Sequence, residues 1–281
     1  MNLYNDRDYN HITSEEIKCF KEIKRLEKIG PNGNPLSIGI KNMYRDYPKA
    51  VRHNLSLFPN NLLDIEELKK EKTLLNLIGE FEKLLELDDT TERTVLKFIN
   101  QYGNYHLIAS ILYYYNFGHH DAYLFREFKL GTTYIVDYLI IGRNSGGYEF
   151  IFVELQDPKK NITKKNGTFG SQIRDGLDQI DDWKRWLDQN YSTLYESFNK
   201  YKNKNIHELD NRIHVLTDEF LKYDSTRIHF VVVAGRRSDF KLNQDITYSL
   251  KRGLKKERNI NLIHYDNLIE LSKNLIGKQT Y

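Results

Sequence analysis

The sequence predicts a mixed β-sheet with helices on its faces, an α/β (α+β) fold. Three strand-like runs follow one another in the middle of the chain, and two shorter apolar runs of the same kind come later. Amphipathic segments with helical spacing precede, separate and follow these runs. The resulting order is helix, three meandering strands, helix, strand, helix, strand, helix, which is typical of a sheet covered by helices.

The first third of the chain is predicted to be helical. Residues 13–28 begin with Thr13 and Glu16, the spacing of a capping box, and continue with apolar residues at helical intervals. The stretch GPNGNP at residues 30–35 predicts a break. Residues 64–87 form a second amphipathic pattern, whose apolar face is expected to hold Leu74, Leu75, Ile78, Phe81 and Leu85.

The pattern changes near residue 88, so we assign residues 1–87 to a helical N-terminal region and residues 88–281 to a second domain. A helix is expected from about Thr91, with another after it. The remaining predicted segments are strands at 122–130, 133–141, 147–156, 227–234 and 260–265, and helices at 171–190, within 191–222, at 243–256 and at 266–275.

The composition is that of an ordinary water-soluble protein. Lys and Arg number 42 and Asp and Glu 39, and the net charge of +3 permits nucleic-acid binding without requiring it. Cys19 is the single cysteine, so no disulfide can form within the chain, and we expect a reducing, cytoplasmic compartment. We expect neither a signal peptide nor a membrane span, because no apolar run approaches the ~20 residues that a span needs.

Polar residues within two strand-like runs mark a candidate site. Asp137 lies inside the apolar run YIVDYLIIG, and Glu154 and Gln156 end the run YEFIFVELQ. Residues two apart on a strand share a face, so Glu154 and Gln156 point the same way. The segment GRNSGG at residues 142–147 predicts a hairpin turn, and a turn centred near residue 145 or 146 places Asp137 opposite Glu154 or its neighbour.

Two carboxylates this close repel each other, and one takes up a proton unless a cation lies between them. Mg²⁺ binds one or two carboxylates together with waters and phosphate oxygens, so Asp137 and Glu154 are candidate metal ligands for phosphodiester hydrolysis. The alternative is structural, because acidic residues at strand ends are also solvated or held in salt bridges. The sequence has no glycine-rich phosphate loop followed by Lys and Ser or Thr, so we do not expect ATP hydrolysis.

Five ordered motifs carry a resemblance that covers about residues 88–275. They are REFKLGTTYIVDYLIIG, YEFIFVELQDPKK, FGSQIRDGLDQIDDW, RIHFVVVAGRR and INLIHYDNLIEL. Together they resemble the Shedu family of bacterial anti-phage defence proteins, and the resemblance leaves about the first 85 residues unexplained. It implies a nuclease domain of the PD-(D/E)XK type, with a restriction-endonuclease-like mixed sheet flanked by helices.

The resemblance implies roles for individual residues. Asp137 matches the metal-binding Asp of the family, Glu154 matches the Glu of its E-x-K element, and Gln156 stands where that element usually has Lys. The Lys is thought to position and polarise the attacking water, whereas Gln orients a water by hydrogen bonding alone. The implied cofactor is Mg²⁺ or Mn²⁺.

Two further residues match helices that contribute to such sites. Glu92 matches the acid that these nucleases use from their first helix, although a first-turn glutamate also stabilises a helix without any metal. Gln179 lies on the edge of the predicted helix 171–190 and resembles the Gln that this helix lends to the active site or the scissile strand. Glu127, in the first strand-like run, is a less favoured ligand.

Basic residues follow two of the predicted strands. Phosphate binding requires such charge, and strand exits are where a substrate could approach, although any one cluster can also be plain solvated surface. The residues predicted to bind nucleic acid are Lys159, Lys160 and Lys164 after the third strand, with Lys165 beside them, and Arg236 and Arg237 after the fourth.

We therefore expect a Mg²⁺-dependent DNA endonuclease of the Shedu type that acts in phage defence. By resemblance, its N-terminal region senses a signal or gates the nuclease, and the chain forms a homo-oligomer, with a tetramer as a common form in the family. Two alternatives remain open. One is a catalytically weak nucleic-acid-binding or regulatory module on the same fold. The other is a structural interaction protein whose acidic residues are paired with Lys and Arg.

Overall fold

The computed structural model describes residues 13–28, 56–115, 117–118, 120–159, 162–203 and 215–281. The predicted break at residues 30–35 lies outside them. The chain forms two compact units: one consists of residues 63–197 and 218–281, and the other of residues 2–62 and 198–217. None of the helices in the described ranges combines the length and the apolar character needed to cross a membrane.

The helices and strands of the described residues have the following bounds. The helices are α1 (Ser14–Lys28), α2 (Ile65–Leu68), α3 (Glu71–Glu86), α4 (Glu92–Gln101), α5 (His106–Ala109), α6 (Ser171–Asn190), α7 (Leu194–Tyr201), α8 (Arg237–Leu242), α9 (Gln244–Arg258) and α10 (Tyr265–Leu275). The strands are β1 (Asp121–Leu130), β2 (Tyr134–Asn144), β3 (Gly147–Leu155), β4 (Ile228–Val233) and β5 (Ile260–Ile263).

The five strands form one sheet in the order β1-β2-β3-β4-β5. The first two pairings are antiparallel and the last two are parallel. Short connections join β1, β2 and β3, which permits antiparallel pairing, whereas β3 reaches β4 through α6 and α7, as a parallel crossover requires. The predicted fold class, a mixed sheet flanked by helices with helices at the N-terminal end of the chain, is confirmed.

The turn between β2 and β3 is tight. Asn144 pairs with Gly147, so only Ser145 and Gly146 lie between the strands. The Gly146 N–H donates to Asn144 Oδ1 at 2.7 Å, and Gly147 has a φ of +112°, a left-handed conformation that favours glycine. This turn fixes the register of the whole hairpin, including the two acidic residues at its open end.

The helix predicted over residues 64–87 is in fact two helices, α2 and α3. The chain leaves the helical path after Leu68, whose carbonyl oxygen accepts a hydrogen bond from the Gly277 N–H at 2.9 Å. A tertiary contact thus replaces the continuing helical hydrogen bond. The predicted apolar face was wrong for Leu75, which is 50% exposed, because it lies about 100° around the helix from buried Leu74.

The observed bounds of the other elements differ from the predicted ones by a few residues. β2 continues to Asn144, three residues beyond its predicted end at 141, and α8 was not predicted at all. In the unit of residues 2–62 and 198–217, the predicted capping box of α1 is confirmed. The Thr13 N–H donates to Glu16 Oε2 at 2.8 Å, and the Glu16 N–H donates to Thr13 Oγ1 at 3.2 Å.

Candidate functional site

The register of β2 and β3 brings Asp137 next to Glu154. Their pairing runs from the turn to Tyr138 opposite Val153, and the next position in the same register sets Asp137 opposite Glu154. Asp137 Oδ2 accepts a hydrogen bond from the Leu155 N–H at 2.8 Å, which holds the carboxylate against β3. The charge of Asp137 acts on Glu154, so the two carboxylates are neighbours, and their role as a metal site stays a prediction.

Gln156 lies beside Glu154 on the same face. Its Nε2 donates to Glu154 Oε1 at 2.9 Å, and both side chains are buried, with 7% and 4% of their surface exposed. Its backbone N–H donates to the carbonyl of Val233 on β4 at 2.8 Å. Its carbonyl accepts from the hydroxyl of the fully buried Tyr265 at 2.7 Å.

Gly176 of α6 packs directly against Gln156. A Cβ atom at Gly176 would lie 3.1 Å from Gln156 Cγ and 3.4 Å from its Nε2, which is tighter than ordinary van der Waals contact. The glycine therefore lets α6 approach the end of β3, and the side chain of Gln156 is confined between Glu154 and the helix. Neither Gly176 nor Tyr265 was singled out from the sequence, because each acts through contacts with distant segments.

Glu92 and Gln179 reach the same acidic residues from two helices. Glu92 is the first residue of α4, and its charge raises the pKa of both Asp137 and Glu154. Gln179 of α6 hydrogen-bonds the side chain of Glu154. We call Asp137, Glu154, Gln156, Glu92 and Gln179 the acidic site.

Glu127 lies at the margin of the acidic site. The register of β1 and β2 sets it opposite Asp137, and its charge also raises the pKa of Asp137. Its φ of +48° is unusual for a residue other than glycine. The pairing of Arg126 with Tyr138 and of Phe128 with Val136 continues on either side of it. The sequence placed Glu127 in the first strand but did not indicate this position beside Asp137.

Burial is the main cause of the electrostatic strain in the acidic site. The pKa of Asp137 is raised to about 7, mainly by burial and further by the charges of Glu92 and Glu127, against the hydrogen bond from Leu155. The pKa of Glu154 is raised to about 9, mainly by burial and further by the charges of Asp137 and Glu92, against the amides of Gln156 and Gln179. Both carboxyl groups thus hold their protons more tightly than an exposed acid does.

A divalent cation would relieve this strain. Within the described part of the chain, no Lys or Arg forms an ion pair with Asp137 or Glu154. The same residues hold no group of three or more His, Cys, Asp and Glu side chains arranged as a complete metal cage. A carboxylate pair suits Mg²⁺, because this ion binds one or two protein carboxylates and fills its other positions with waters and phosphate oxygens.

The two predicted basic clusters differ from each other. Lys159, Lys164 and Lys165 are exposed, and Lys160 lies outside the described residues. Lys159 Nζ donates to the carbonyl of Glu86 at the end of α3, at 3.4 Å. Arg236 and Arg237 instead line a cleft of about 370 Å³, which we call the arginine cleft. Its other lining residues are Glu82, Glu86, Asp266, Ile269, Glu270 and Lys273.

Acidic partners hold the cations of the arginine cleft. Arg236 Nη2 lies 2.8 Å from Asp266 Oδ1 and 3.0 Å from Glu86 Oε1, and Arg236 Nη1 donates to the carbonyl of Leu85 at 2.9 Å. Arg237 pairs with Glu270. Lys273 Nζ lies 2.6 Å from Glu82 Oε1. The cleft therefore joins the C-terminal end of α3 to the starts of α8 and α10.

The fold and the acidic site define the class: an α/β protein with two neighbouring carboxylates, one buried and one partly buried, where the central β-hairpin of a mixed sheet opens. The family model described as Shedu protein SduA, C-terminal, matches residues 89–269, more than half of the chain, and the protein belongs to this family. The resemblance found in the sequence is thereby confirmed, and the membership indicates a role in anti-phage defence. A search of curated proteins found no match.

Proposed function

We propose that this protein is a metal-dependent DNA endonuclease that hydrolyses phosphodiester bonds in anti-phage defence. The observation that carries the proposal is the pair Asp137 and Glu154. Two neighbouring acidic side chains, Glu154 buried and Asp137 partly buried, without a cationic partner among the described residues, are costly unless a ligand neutralises them. We also propose that the protein acts in the cytoplasm and as a homo-oligomer, by analogy with its family.

Asp137 and Glu154 would hold Mg²⁺ or Mn²⁺. Such an ion lowers the pKa of a bound water and stabilises negative charge that develops on a phosphoryl group. The backbone N–H of Leu155 orients the carboxylate of Asp137. Gln156 and Gln179 orient the carboxylate of Glu154. Glu92, at the start of α4, adds negative charge that strengthens the attraction of the site for a cation.

Gln156 would position the attacking water. Because its Nε2 donates to Glu154, its amide oxygen is the atom that can accept a hydrogen bond from a water molecule. A neutral amide cannot supply the positive charge of the usual Lys, so Gln156 orients the water without polarising it. Close packing of Gly176 and the hydrogen bond from Tyr265 keep the residue in place.

The second candidate is a nucleic-acid-binding or regulatory module on the same fold. The observation in its favour is Gln156, since the amide replaces the one cationic group that this kind of nuclease site usually contains. The third reading, a structural protein with salt-bridged acids, describes the arginine cleft and not the acidic site, because Asp137 and Glu154 have no such partner in the described ranges.

Cleavage of linear and circular DNA with Mg²⁺ or Mn²⁺ tests the proposal. Asp137→Asn and Glu154→Gln remove one charge each and keep the size of the side chain, and we expect each to slow cleavage by about 100-fold or more. Asp121→Asn is the matched control: Asp121 is also an acidic residue of the same sheet, but it pairs with Arg143 at 3.4 Å. Its cleavage rate should equal that of the wild type.

The two candidates give different results in this assay. Wild-type protein that binds DNA but cuts none of these substrates with either metal would favour the binding module. Cleavage that survives both Asp137→Asn and Glu154→Gln would contradict the proposed site.

A further inference from the structure

We propose that residues 162–170, which form a small hairpin, are the surface that holds the backbone of double-stranded DNA beside the acidic site. This inference rests on the proposed nuclease function and deepens it. It also replaces the expectation that the two basic clusters, one after β3 and one after β4, both bind nucleic acid.

Residues 162–170, between β3 and α6, form a hydrogen-bonded hairpin and not an irregular basic loop. Thr163 pairs with Phe169 in an antiparallel bridge. The Lys164 N–H donates to the carbonyl of Thr168 at 2.8 Å, and the Gly170 N–H donates to that of Ile162 at 2.8 Å. A turn closed by the Gly167 N–H and the Lys164 carbonyl, 3.0 Å apart, forms the tip. A surface that is already ordered loses little conformational entropy when it binds.

The base of the hairpin lies against the residues that support Gln156. Ile162 is 1% exposed and packs on Gly235, where an added Cβ would come within 2.6 Å of its Cδ1. The Gly235 carbonyl accepts from the Tyr265 N–H at 3.1 Å, and the hydroxyl of Tyr265 donates to the Gln156 carbonyl. The hairpin thus leaves the sheet directly beside the acidic site, and its end at Gly170 begins α6, which carries Gly176 and Gln179.

A buried hydrogen bond fastens the hairpin to α9. The hydroxyl oxygens of Thr163 and Thr247 lie 2.6 Å apart, and both side chains are buried. Across this junction, Gly167 approaches Ile246 at the start of α9. Exposed Arg252 lines a separate cavity of about 260 Å³ with Gln244, Asp245 and Tyr248. Because successive helix residues turn by about 100°, Arg252 points about 120–140° away from Ile246 and Thr247, and the proposed surface is therefore the hairpin itself.

The cations of this surface are available for phosphate. In the described portion of the chain, Lys164 and Lys165 take part in no ion pair. Arg236 and Arg237 have acidic partners instead. Neutralising a phosphate releases counterions from DNA only where the protein cation is not already neutralised, so the hairpin fits this role better than the arginine cleft.

The chemistry of the tip favours duplex DNA over a single strand. Its sequence from Lys164 to Thr168 is KKNGT, which has two cations, amide and hydroxyl groups, and no aromatic side chain; the ring of the hairpin, Phe169, is partly buried at its base, where it pairs with Thr163. Proteins that bind single strands stack bases on aromatic rings, whereas Lys, Asn and Thr at a narrow tip contact phosphate and sugar. The partner we infer is therefore the sugar-phosphate backbone of a duplex, bound without base-specific contacts.

Binding of a labelled 30-bp DNA duplex in the presence of EDTA, at several salt concentrations, tests the inference. We expect Lys164→Ala/Lys165→Ala to weaken binding about tenfold and to lower the slope of log K against log salt by about two, because each lost phosphate contact reduces the slope by about 0.9. Lys164→Arg/Lys165→Arg should restore both quantities.

Lys72→Ala/Lys83→Ala is the matched control, since it also removes two exposed lysines, both of them on α3. This double variant and Arg237→Ala should keep the wild-type slope. If the hairpin variant and the α3 control show the same slope, the inference is wrong while the nuclease proposal stands. If the single-stranded form of the labelled DNA or an RNA duplex binds at least as tightly as the DNA duplex, the partner is wrong. If the wild type neither binds nor cleaves duplex DNA, the proposed function itself fails.

Discussion

The acidic site and the arginine cleft both lie where the parallel strands β3 and β4 end, yet their charges are arranged in opposite ways. In the acidic site, Asp137 and Glu154 face each other under burial, and both pKa values rise. In the arginine cleft, burial acts to raise the pKa of Asp266, but hydrogen bonds from Arg236 and the Arg237 N–H outweigh it and lower the pKa. Among the described residues, the acids of the first region have no Lys or Arg partner, whereas those of the second are paired with Arg236 and Arg237.

The difference shows how to tell a functional charge from a structural one at the ends of these strands. Arg236 connects three segments, because it contacts Asp266, Glu86 and the Leu85 carbonyl. A side chain with this many protein partners stabilises the fold and has few hydrogen-bond donors left for a substrate. Acidic residues whose pKa is raised by burial and by neighbouring negative charge destabilise the fold, and such groups are typical of ligand sites.

The largest expected effect comes from breaking the arginine cleft. Arg236→Met should lower the free energy of unfolding by about 2–4 kcal/mol, because it leaves Asp266 half-buried without its main partner. The side chains of Arg236 and Asp266 are only 17% and 22% exposed. Urea unfolding of the wild type and the variant in EDTA measures the difference.

Arg237→Met is the control for this experiment. Its pair with Glu270 is 40% and 51% exposed, so its loss should cost less than about 1 kcal/mol. Equal losses of unfolding free energy in the two variants would show that the arginine cleft does not stabilise the fold through Arg236. The arginine cleft would then no longer be a structural counterpart of the acidic site.

The next prediction compares how the stability contributed by the acidic site and by the arginine cleft depends on pH. Asp137 and Glu154 have folded-state pKa values above the ~4 of an unfolded acid, so the folded protein binds more protons between about pH 4 and pH 9. Their contribution to stability is present at low pH and is lost as the pH rises through this window. Asp266 works in the opposite direction, since its lowered pKa adds stability above pH 4 that is lost on acidification.

Thermal unfolding in EDTA between pH 5 and pH 9 measures this difference. The acidic site should lower the Tm as the pH rises, and Mg²⁺ should reverse the trend. Glu154→Gln removes one charge of the pair, so it should flatten the profile and stabilise the metal-free protein by about 1–3 kcal/mol at pH 8. Asp266→Asn, the control in the arginine cleft, should destabilise it. A Glu154→Gln variant with a lower Tm at pH 8 would contradict the account of the acidic site.

The hairpin of β2 and β3 and the positions of its acidic residues could be predicted from the sequence, because both depend on local signals. Strand periodicity and the tight turn at Ser145 and Gly146 suffice to bring Asp137 opposite Glu154. The environment of Arg236 could not be predicted, because its partners lie on α3 and α10, about 150 and 30 residues away in the chain. The break at Leu68 has a similar cause, a contact with Gly277. Contacts between distant segments leave no periodic pattern in the sequence.

The smallest effect tests whether the acidic site can be turned into a region like the arginine cleft. Gln156→Lys places an ammonium group beside Glu154, whose Oε1 now accepts from the amide at 2.9 Å. An adjacent cation lowers the pKa of a carboxyl group, so the pH profile of the Tm should flatten. The gain in stability without metal at pH 8 should be about 1 kcal/mol, because burying the new charge opposes its attraction to Glu154.

The same variant measures what Gln156 does in catalysis. Lys and Gln share the path from Cβ to Cγ past Gly176, so the substitution should not displace α6. If Gln156 is a working replacement that orients the water through its amide oxygen, Lys, which has no acceptor, would orient the water as a donor instead, and the rate of DNA cleavage should stay within about tenfold of the wild type. An increase well beyond tenfold would show that the amide marks weakened chemistry. The wild-type site would then be better described as a binding module with a residual carboxylate pair.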